Sequence, residues 1–175
     1  MPRAMTERRD SPQVRIEPYG EADLDILIRN NAPEMTEHLG GPESEEKLLK
    51  RHERYLAFNE PGAGGMFRIV LLPDGERVGL IGYWEREWQD ETVYETGWGV
   101  VPEFQGRGVG TAAVHAVVEH ARTHGKHRSM HAYPSIDNPP SNAICRKAGF
   151  ELLGEFDFEY PPGNPLRCNE WRIEL

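Results

Sequence analysis

The sequence has few cysteines, no long hydrophobic run and a deficit of basic residues. Its two cysteines fall in no metal-ligand spacing, and two are too few for a disulfide framework. Both observations fit a reducing compartment. No apolar run approaches the roughly 18 residues of a membrane span, and the start "MPRAMTERRD" lacks the apolar centre of a signal peptide. We therefore expect a cytoplasmic protein with no membrane partner.

The deficit of basic residues also restricts the partners. Acidic residues number 29 and basic residues 20, so the formal net charge is -9 at pH 7. Nucleic acids and anionic lipids are themselves negative, so a general affinity for either is excluded. The charge balance instead favours a cationic partner.

The length and mixed composition predict one domain. Residues 1–12 are charged and contain two prolines, so we expect a flexible N-terminal arm before a domain of residues 13–175. Apolar spacing in the domain predicts about seven strands and about four helices in an α+β order. The expected architecture is a single mixed, mostly antiparallel sheet flanked by helices.

The stretch "VPEFQGRGVG" lies between a predicted strand and a predicted helix from Val109 to about Arg122. A helix start has free N–H groups and a positive dipole end, and glycines let backbone amides wrap an anion such as a pyrophosphate. Alternatively, the glycines only form a tight turn. Thr111 stands where the dinucleotide fingerprint needs glycine, and no Gly-Lys-Ser/Thr follows, so neither NAD nor ATP is favoured.

Two motifs carry a resemblance to a known family. Residues 105–110, "QGRGVG", match the Gln/Arg-x-x-Gly-x-Gly/Ala signature of the GNAT N-acetyltransferases, and residues 138–150, "NPPSNAICRKAGF", are similar to that family's later Asn-x-x-Ser helix. The order of elements from about residue 13 to 175 also resembles the GNAT fold. The lead-in "ETGWGVVP" looks most like the branch that includes ribosomal-protein acetyltransferases.

The resemblance implies that acetyl-coenzyme A donates an acetyl group to an amine. It also implies a splay between the two parallel central strands, into which the pantetheine arm enters. Val100 and Val101 would offer backbone groups to that arm, and the Val100 N–H would stabilise the oxyanion. A homodimer is one expectation for the assembly.

The resemblance further implies a set of coenzyme contacts around the two motifs. Arg107 would add charge to the phosphates or remain a solvated loop residue, and Asn138 and Ser141 would contact the coenzyme or only cap their helix. The proposed coenzyme-binding residues of the two motifs are Gln105, Gly106, Arg107, Gly108, Val109, Gly110, Thr111, Asn138 and Ser141.

Acetyl transfer needs a neutral amine, whereas an alkyl amine such as lysine has a pKa of about 10.4. Glu95 is the first candidate proton acceptor and Glu85 the second; for both, an exposed strand glutamate is the alternative. Strand alternation places Glu95 on the face of Gly97 and Gly99 rather than that of Trp98, although a bulge in the splayed strand would change that count.

Cys145 stands where many family members have a tyrosine that protonates the departing thiolate. Its thiol could donate that proton, but we favour a small buried hydrophobe on a helix face. Ser141 or Tyr133 could supply the proton instead.

Neither a metal nor a particular acceptor is indicated. His120 and His124 are one turn apart without a His-Glu-x-x-His order, so we expect no metal. A small cationic amine suits the acidic charge, whereas the branch resemblance suggests a protein N-terminus. The family resemblance assigns acceptor choice to residues 21–60 and 160–167. A non-catalytic acyl-CoA-binding or regulatory module of the same fold is the alternative function.

Overall fold

The computed structural model describes residues 11–175, so residues 1–10 of the predicted N-terminal arm lie outside the described residues. The predicted α+β architecture is confirmed, with helices on both faces of one mixed sheet. No helix of the described part is long and apolar enough to cross a membrane.

Eight strands of the described residues form the sheet, in the order β1-β3-β4-β5-β6-β8-β7 with the short β2 beside β3. Only the β5–β6 pair is parallel. The strands are β1 Val14–Pro18, β2 Asn59–Glu60, β3 Gly64–Leu71, β4 Glu76–Trp88, β5 Glu91–Val100, β6 Ser129–Ala132, β7 Glu151–Glu159 and β8 Pro165–Glu174.

The helices agree with prediction except for one extra turn. They are α1 Leu24–Asn30, α2 Pro33–Thr36, α3 Glu45–Ala57, α4 Val109–His124 and α5 Pro139–Lys147. The helix α2, which was not predicted, is too short to show a periodic apolar pattern. Strand β6 is also shorter than the predicted segment 127–137, because Pro134 follows it closely and cannot donate to a sheet.

The sheet separates two apolar cores. On one face, hereafter the α4 face, Val114 and Val117 of α4 pack with Ile81, Tyr94 and Met130 of the sheet. The other face, hereafter the α3 face, carries a smaller core under α1 and α3. Its buried members are Tyr19, Ile26, Leu27, Leu48, Met66 and Leu80. The smaller core covers β3 and β4, and Asn30 of α1 reaches β5, where it donates to the Gly99 carbonyl at 3.3 Å.

The two parallel strands separate soon after they meet. They pair only at Tyr94 with Met130 and at Glu95 with His131. Strand β5 then continues to Val100 while hydrogen-bonded only to β4. The predicted splay is therefore confirmed, and we call the opening beyond Glu95 the β5–β6 gap.

Candidate active site

The glycine loop at the start of α4 has a backbone that requires glycine. Gly106 and Gly108 have φ angles of 72° and 82°, in the left-handed region that side chains with a Cβ rarely occupy. Gly108 is the N-cap residue of α4. Gly110 has a packing role, because a Cβ there would lie 2.6 Å from Cδ1 of Ile144 in α5.

The same loop presents consecutive unpaired N–H groups. Within residues 11–175, the N–H groups from Gly106 to Thr111 have no hydrogen-bond acceptor, and Ala112 is the first to bond, donating to the Gly108 carbonyl at 3.0 Å. These donors lie at the positive end of a 16-residue helix. Such an arrangement binds anions, so the loop fits a pyrophosphate.

Val100 and Val101 turn their backbones in opposite directions. The N–H of Val101 donates to the Val78 carbonyl of β4 at 2.9 Å, so the sheet already uses it. Backbone groups alternate in direction along a strand, so those of Val100 point into the β5–β6 gap. The Val100 carbonyl accepts a hydrogen bond from the Gln105 amide at 2.8 Å, which ties the glycine loop to the strand.

The remaining predicted coenzyme residues surround this loop. Arg107 is exposed, with its guanidinium carbon 5.3 Å from the centre of the Phe104 ring. Asn138 caps α5, because its side-chain oxygen accepts from the Ser141 N–H at 3.3 Å. The structure therefore shows the hydrogen bond that the capping interpretation of Asn138 requires.

Cys145 lies in the core of the α4 face, with no exposed surface. Burial raises the pKa of its thiol to about 12. A thiol of this kind is a weak proton donor, and its placement agrees with the packing interpretation.

The two candidate glutamates lie on opposite faces of the sheet. Glu85 is on the α4 face, where its carboxylate contacts the Lys126 ammonium at 2.8 Å and His127 at 3.1 Å. The hydrogen bond from Lys126 lowers the pKa of Glu85. Glu85 pairs with Tyr94, before the gap opens.

Glu95 lies on the α3 face at the point where the β5–β6 gap begins. Its carboxylate accepts hydrogen bonds from the Trp84 indole at 3.0 Å and from Arg86 at 2.9 Å. A Cβ at Gly97 would lie 3.1 Å from the Trp84 ring, so Glu95 and Gly97 share this face, as strand alternation predicts. Of the two glutamates, only Glu95 lies beside the gap.

An aromatic cluster surrounds Arg86 on the same face. The Arg86 guanidinium carbon is 5.2 Å from the Trp88 ring centre, 4.5 Å from that of Tyr133 and 5.1 Å from that of Phe158. Distances of this size correspond to cation–π contacts. Sequence reasoning missed Arg86, because its partners come from β4, β7 and the end of β6.

Glu170 of β8 is a buried carboxylate next to this cluster. Its oxygens accept from the Trp88 indole at 3.0 and 3.3 Å, and the Nδ1 atom of His131 lies 3.9 Å away. Burial, with Arg172 and Arg86 nearby, lowers the pKa of His131 to about 4. His131 is therefore neutral at pH 7.

Two polar atoms of this region have no hydrogen-bond partner. Within residues 11–175, the Tyr133 hydroxyl and the Nδ1 atom of His131 are buried without one. Burial raises the pKa of Tyr133, with contributions from Glu95 and Glu170. No local sequence motif identifies these residues, because they come together only when strands that are distant in the sequence pair in the sheet.

A cavity of about 330 Å³ lies on the α3 face beside Trp84. It is lined by Arg51, Arg54, Tyr55, Phe58, Met66 and Trp84. Arg51 pairs with Glu43 at 2.5 Å and donates to the Tyr160 hydroxyl at 3.2 Å, so the β7–β8 connection reaches α3. We call this cavity the α3 pocket.

A metal centre is not formed by the described residues. They contain no group of three or more histidine, cysteine, aspartate or glutamate side chains that could hold an ion. His120, one of the two histidines in the α4 spacing, is instead within 2.8 Å of the Tyr83 hydroxyl.

Comparisons with known proteins agree with this geometry. Residues 13–151 match the family model described as an acetyltransferase (GNAT) domain. The chain is 28% identical over 131 residues to the ribosomal-protein-serine acetyltransferase of Escherichia coli (strain K12), covering 73% of this chain and 72% of that protein.

Solved structures share the fold at lower identity. An acetyl transferase from Salmonella typhimurium that modifies the N-terminal serine of ribosomal protein L7/L12 superposes with a TM-score of 0.74 at 20% identity, covering 93% of this chain and 95% of that one. Spermidine N-acetyltransferase from Vibrio cholerae, in complex with CoA and spermine, gives a TM-score of 0.74 at 18% identity over 93% and 95% of the two chains.

Proposed function

Because the chain belongs to the GNAT acetyltransferase family and is an acetyl-CoA-dependent N-acetyltransferase, we propose that its acceptor is the α-amine of a polypeptide N-terminus. The α3 pocket is the observation that carries this proposal. In this proposal the pocket receives a side chain of the peptide while the α-amine reaches the β5–β6 gap.

The donor would bind along the α4 side of the gap. The free N–H groups from Gly106 to Thr111 would hold the pyrophosphate, and the backbone of Val100 would pair with the pantetheine arm. The Val100 N–H also points into the gap, where it would donate to the oxyanion that forms during transfer. Arg107 would add positive charge near the phosphates.

The walls of the α3 pocket suit a peptide side chain. Tyr55, Phe58, Met66 and Trp84 give it a largely apolar and aromatic surface. Trp84 also donates to Glu95, so the pocket adjoins the carboxylate at the start of the gap. An apolar or aromatic side chain close to the peptide amine would therefore gain binding energy by burial there.

The charges around the pocket disfavour a polycation. Arg51 and Arg54 line it, and Arg86 lies beside Glu95. Glu43 and Glu95 pair with Arg51 and Arg86, so it is the Arg54 charge that repels the additional ammonium groups of a polyamine or an aminoglycoside. A single α-amine also asks less of the enzyme, because its pKa of about 7.7–8.0 leaves more of it neutral than a lysine amine of pKa about 10.4.

The relatives and the expected location support the same acceptor. The curated relative is a ribosomal-protein-serine acetyltransferase, and its alignment covers 73% of this chain. A polypeptide acceptor also agrees with the cytoplasmic location that the sequence predicts. A homodimer remains a prediction, for which light scattering of the purified protein is the measurement.

A small cationic amine is the second candidate acceptor. The net charge of -9 favours it, and one fold relative is a spermidine N-acetyltransferase. In this case an acidic surface outside the α3 pocket would attract the amine.

The test is release of free thiol from acetyl-CoA with a panel of acceptors. Short peptides of identical sequence except for an alanine or phenylalanine at the second position are compared with spermidine, an aminoglycoside and N-acetylated peptides as blanks. We expect release with the free peptides and a larger kcat/KM for the phenylalanine peptide. Release with spermidine alone would contradict the peptide proposal, and CoA binding without release across the panel would favour the non-catalytic module.

A further inference from the structure

We propose that Glu170 takes the proton of the acceptor's ammonium group, with the Tyr133 hydroxyl beside it to bind the same nitrogen. The inference rests on the proposed function, since it concerns the acceptor side of the same site. It adds a proton acceptor on β8 to the glutamate on β5 that the sequence indicates.

The strand register places Tyr133 at the gap and Glu170 opposite it on the next strand, β8. The last pair between β6 and β8 is Ala132 with Trp171, so the next residues outward are Tyr133 and Glu170. Across the parallel pairing, Glu95 is level with His131. Tyr133 therefore lies two residues beyond His131, where β5 and β6 have separated.

All of these side chains share the α3 face. Trp84, Arg86 and Trp88 alternate along β4, and their contacts reach Glu95 at one end and Glu170 at the other. Trp171, between Glu170 and Arg172, packs in the core of the α4 face instead. An amine that approaches the gap from the α3 face therefore meets two carboxylates, one on each side.

The polar groups around Glu170 have unused hydrogen-bonding capacity. In the described part of the chain, the Tyr133 hydroxyl and Nδ1 of His131 are buried and unpartnered. The Glu170 side chain is 10% exposed, and both of its oxygens share one donor, the Trp88 indole. Buried polar groups without partners are unfavourable for folding and concentrate at sites that bind a ligand. An ammonium group offers the donors that Glu170 and Tyr133 lack.

Within residues 11–175, no arginine or lysine is bonded to Glu170, unlike Glu95. An oxygen of Glu95 already accepts from the Arg86 guanidinium and the Trp84 indole. The His131 ring lies 3.9 Å from a Glu170 oxygen, and its lowered pKa of about 4 keeps it neutral at pH 7. The oxygens of Glu170 are thus open to an ammonium group, while Arg86 holds Glu95 in a fixed orientation.

The transfer moves two protons from the acceptor nitrogen. Glu170 removes one proton from the ammonium group, and the neutral nitrogen then forms a C–N bond with the acetyl carbon. The C–S bond breaks, and a second proton from that nitrogen goes to the departing thiolate. The proton on Glu170 leaves to solvent after the amide product is released.

Other charged or titratable side chains face this region and affect its pH dependence. The side chains that contact this cluster or influence its pKa values are Arg86 of β4, Glu95 of β5, His131 of β6, Tyr133 after β6, and Cys168 and Arg172 of β8. The wild-type pH profile is the reference for every variant, because these groups are common to all of them.

The first experiment compares Glu170→Gln with Glu174→Gln. Glutamine keeps an acceptor for the Trp88 indole but does not take a proton, and Glu174 is an exposed glutamate on the same strand and face. With a peptide acceptor at about pH 7, we expect Glu170→Gln to lower kcat/KM about 10-fold, because only about a tenth of an α-amine is neutral at that pH and reacts without a base. The loss should shrink towards about pH 9, where an α-amine of pKa about 7.7–8.0 is mostly neutral.

The second experiment uses Tyr133→Phe, which removes only the unpartnered hydroxyl. A purely structural role predicts an equal or higher Tm and unchanged kinetics, because an unsatisfied buried group is removed. The proposed role predicts an equal or higher Tm together with a rise in the acceptor KM of about 5-fold or more, the size of one lost hydrogen bond.

Wild-type kcat/KM and pH profile in Glu170→Gln would overturn the inference. A constant loss at every pH, with a lowered Tm, would also overturn it, since that pattern reports a structural defect. Both outcomes leave the proposed function intact as long as the wild-type protein acetylates peptides. If the wild type does not, the proposed function itself fails before the variants are compared.

Discussion

The two sides of the β5–β6 gap differ in what they present, because one side consists mainly of backbone groups and the other of side chains. On the α4 side, consecutive residues from Gly106 to Thr111 present backbone N–H groups, and the side chains mainly have to be small. On the α3 side, Arg86, Glu95 and Glu170 contribute side chains from three strands. A backbone site tolerates many substitutions but not a change of backbone conformation. A site built from side chains is sensitive to the substitution of any residue that positions the other side chains.

The largest expected effect is on the coenzyme side, from Gly108→Glu. A side chain at a φ of 82° strains the loop, and a carboxylate there repels the pyrophosphate. We expect the Kd for CoA to rise about 100-fold or more in calorimetry, the combined size of these two effects. Gly75→Glu is the matched control, because Gly75 has a φ of 76° in the β3–β4 turn with open space around it. Equal CoA affinity in Gly108→Glu and the wild type would contradict the phosphate loop.

The second effect concerns stability on the acceptor side. The lowered pKa of His131, about 4 instead of 6.5, means that the unfolded chain binds a proton that the folded chain does not. The free energy of unfolding should therefore fall as the pH drops from about 6.5 to 4, by about 3 kcal/mol from this group alone. Urea unfolding of the wild type and His131→Gln across this range measures the difference. A parallel pH dependence in both proteins would show that His131 is not held neutral.

The third effect separates the two sides directly. Arg86→Met keeps part of the apolar volume among the Trp88, Tyr133 and Phe158 rings but removes the hydrogen bond to Glu95. We expect kcat/KM for the peptide to fall about 10- to 30-fold, the size of a lost charged hydrogen bond, with the Kd for CoA unchanged. A matching loss of CoA affinity would indicate that the two sides are not independent.

The smallest effect is expected from Arg107→Ala. Arg107 is exposed and stacks on Phe104, and the proposed anion site consists of backbone N–H groups, so we expect the Kd for CoA to rise only about 2- to 5-fold. The rise should disappear at high salt, because exposed charges are screened. Titrations at low and high ionic strength provide the measurement, and a loss as large as that of Gly108→Glu would mean that side-chain charge dominates.

The difference between the two sides also explains what could be predicted from the sequence. The glycine loop and the Asn138 cap are local, since each depends on residues within a few positions of one another. The face of Glu95 followed from alternation along one strand, as the contact between Trp84 and Gly97 confirms.

The acceptor side could not be predicted in the same way. Glu170 and His131 become neighbours only through the pairing of β6 with β8. Arg86 of β4 contacts Tyr133, which follows β6, across the strand β5 that lies between them in the sheet. Sequence patterns do not specify which strands lie side by side. The length of β6 and the single turn of α2 were also missed, because neither segment is long enough for periodicity to decide.

The early separation of β5 and β6 has a consequence for the order of events. It leaves an opening in the sheet, with the proposed coenzyme loop on one side and the α3 pocket on the other. Two substrates that reach this opening from opposite sides do not block each other's route. Either one can arrive first, and neither product has to wait for the other to depart, so steady-state kinetics should follow a random sequential scheme.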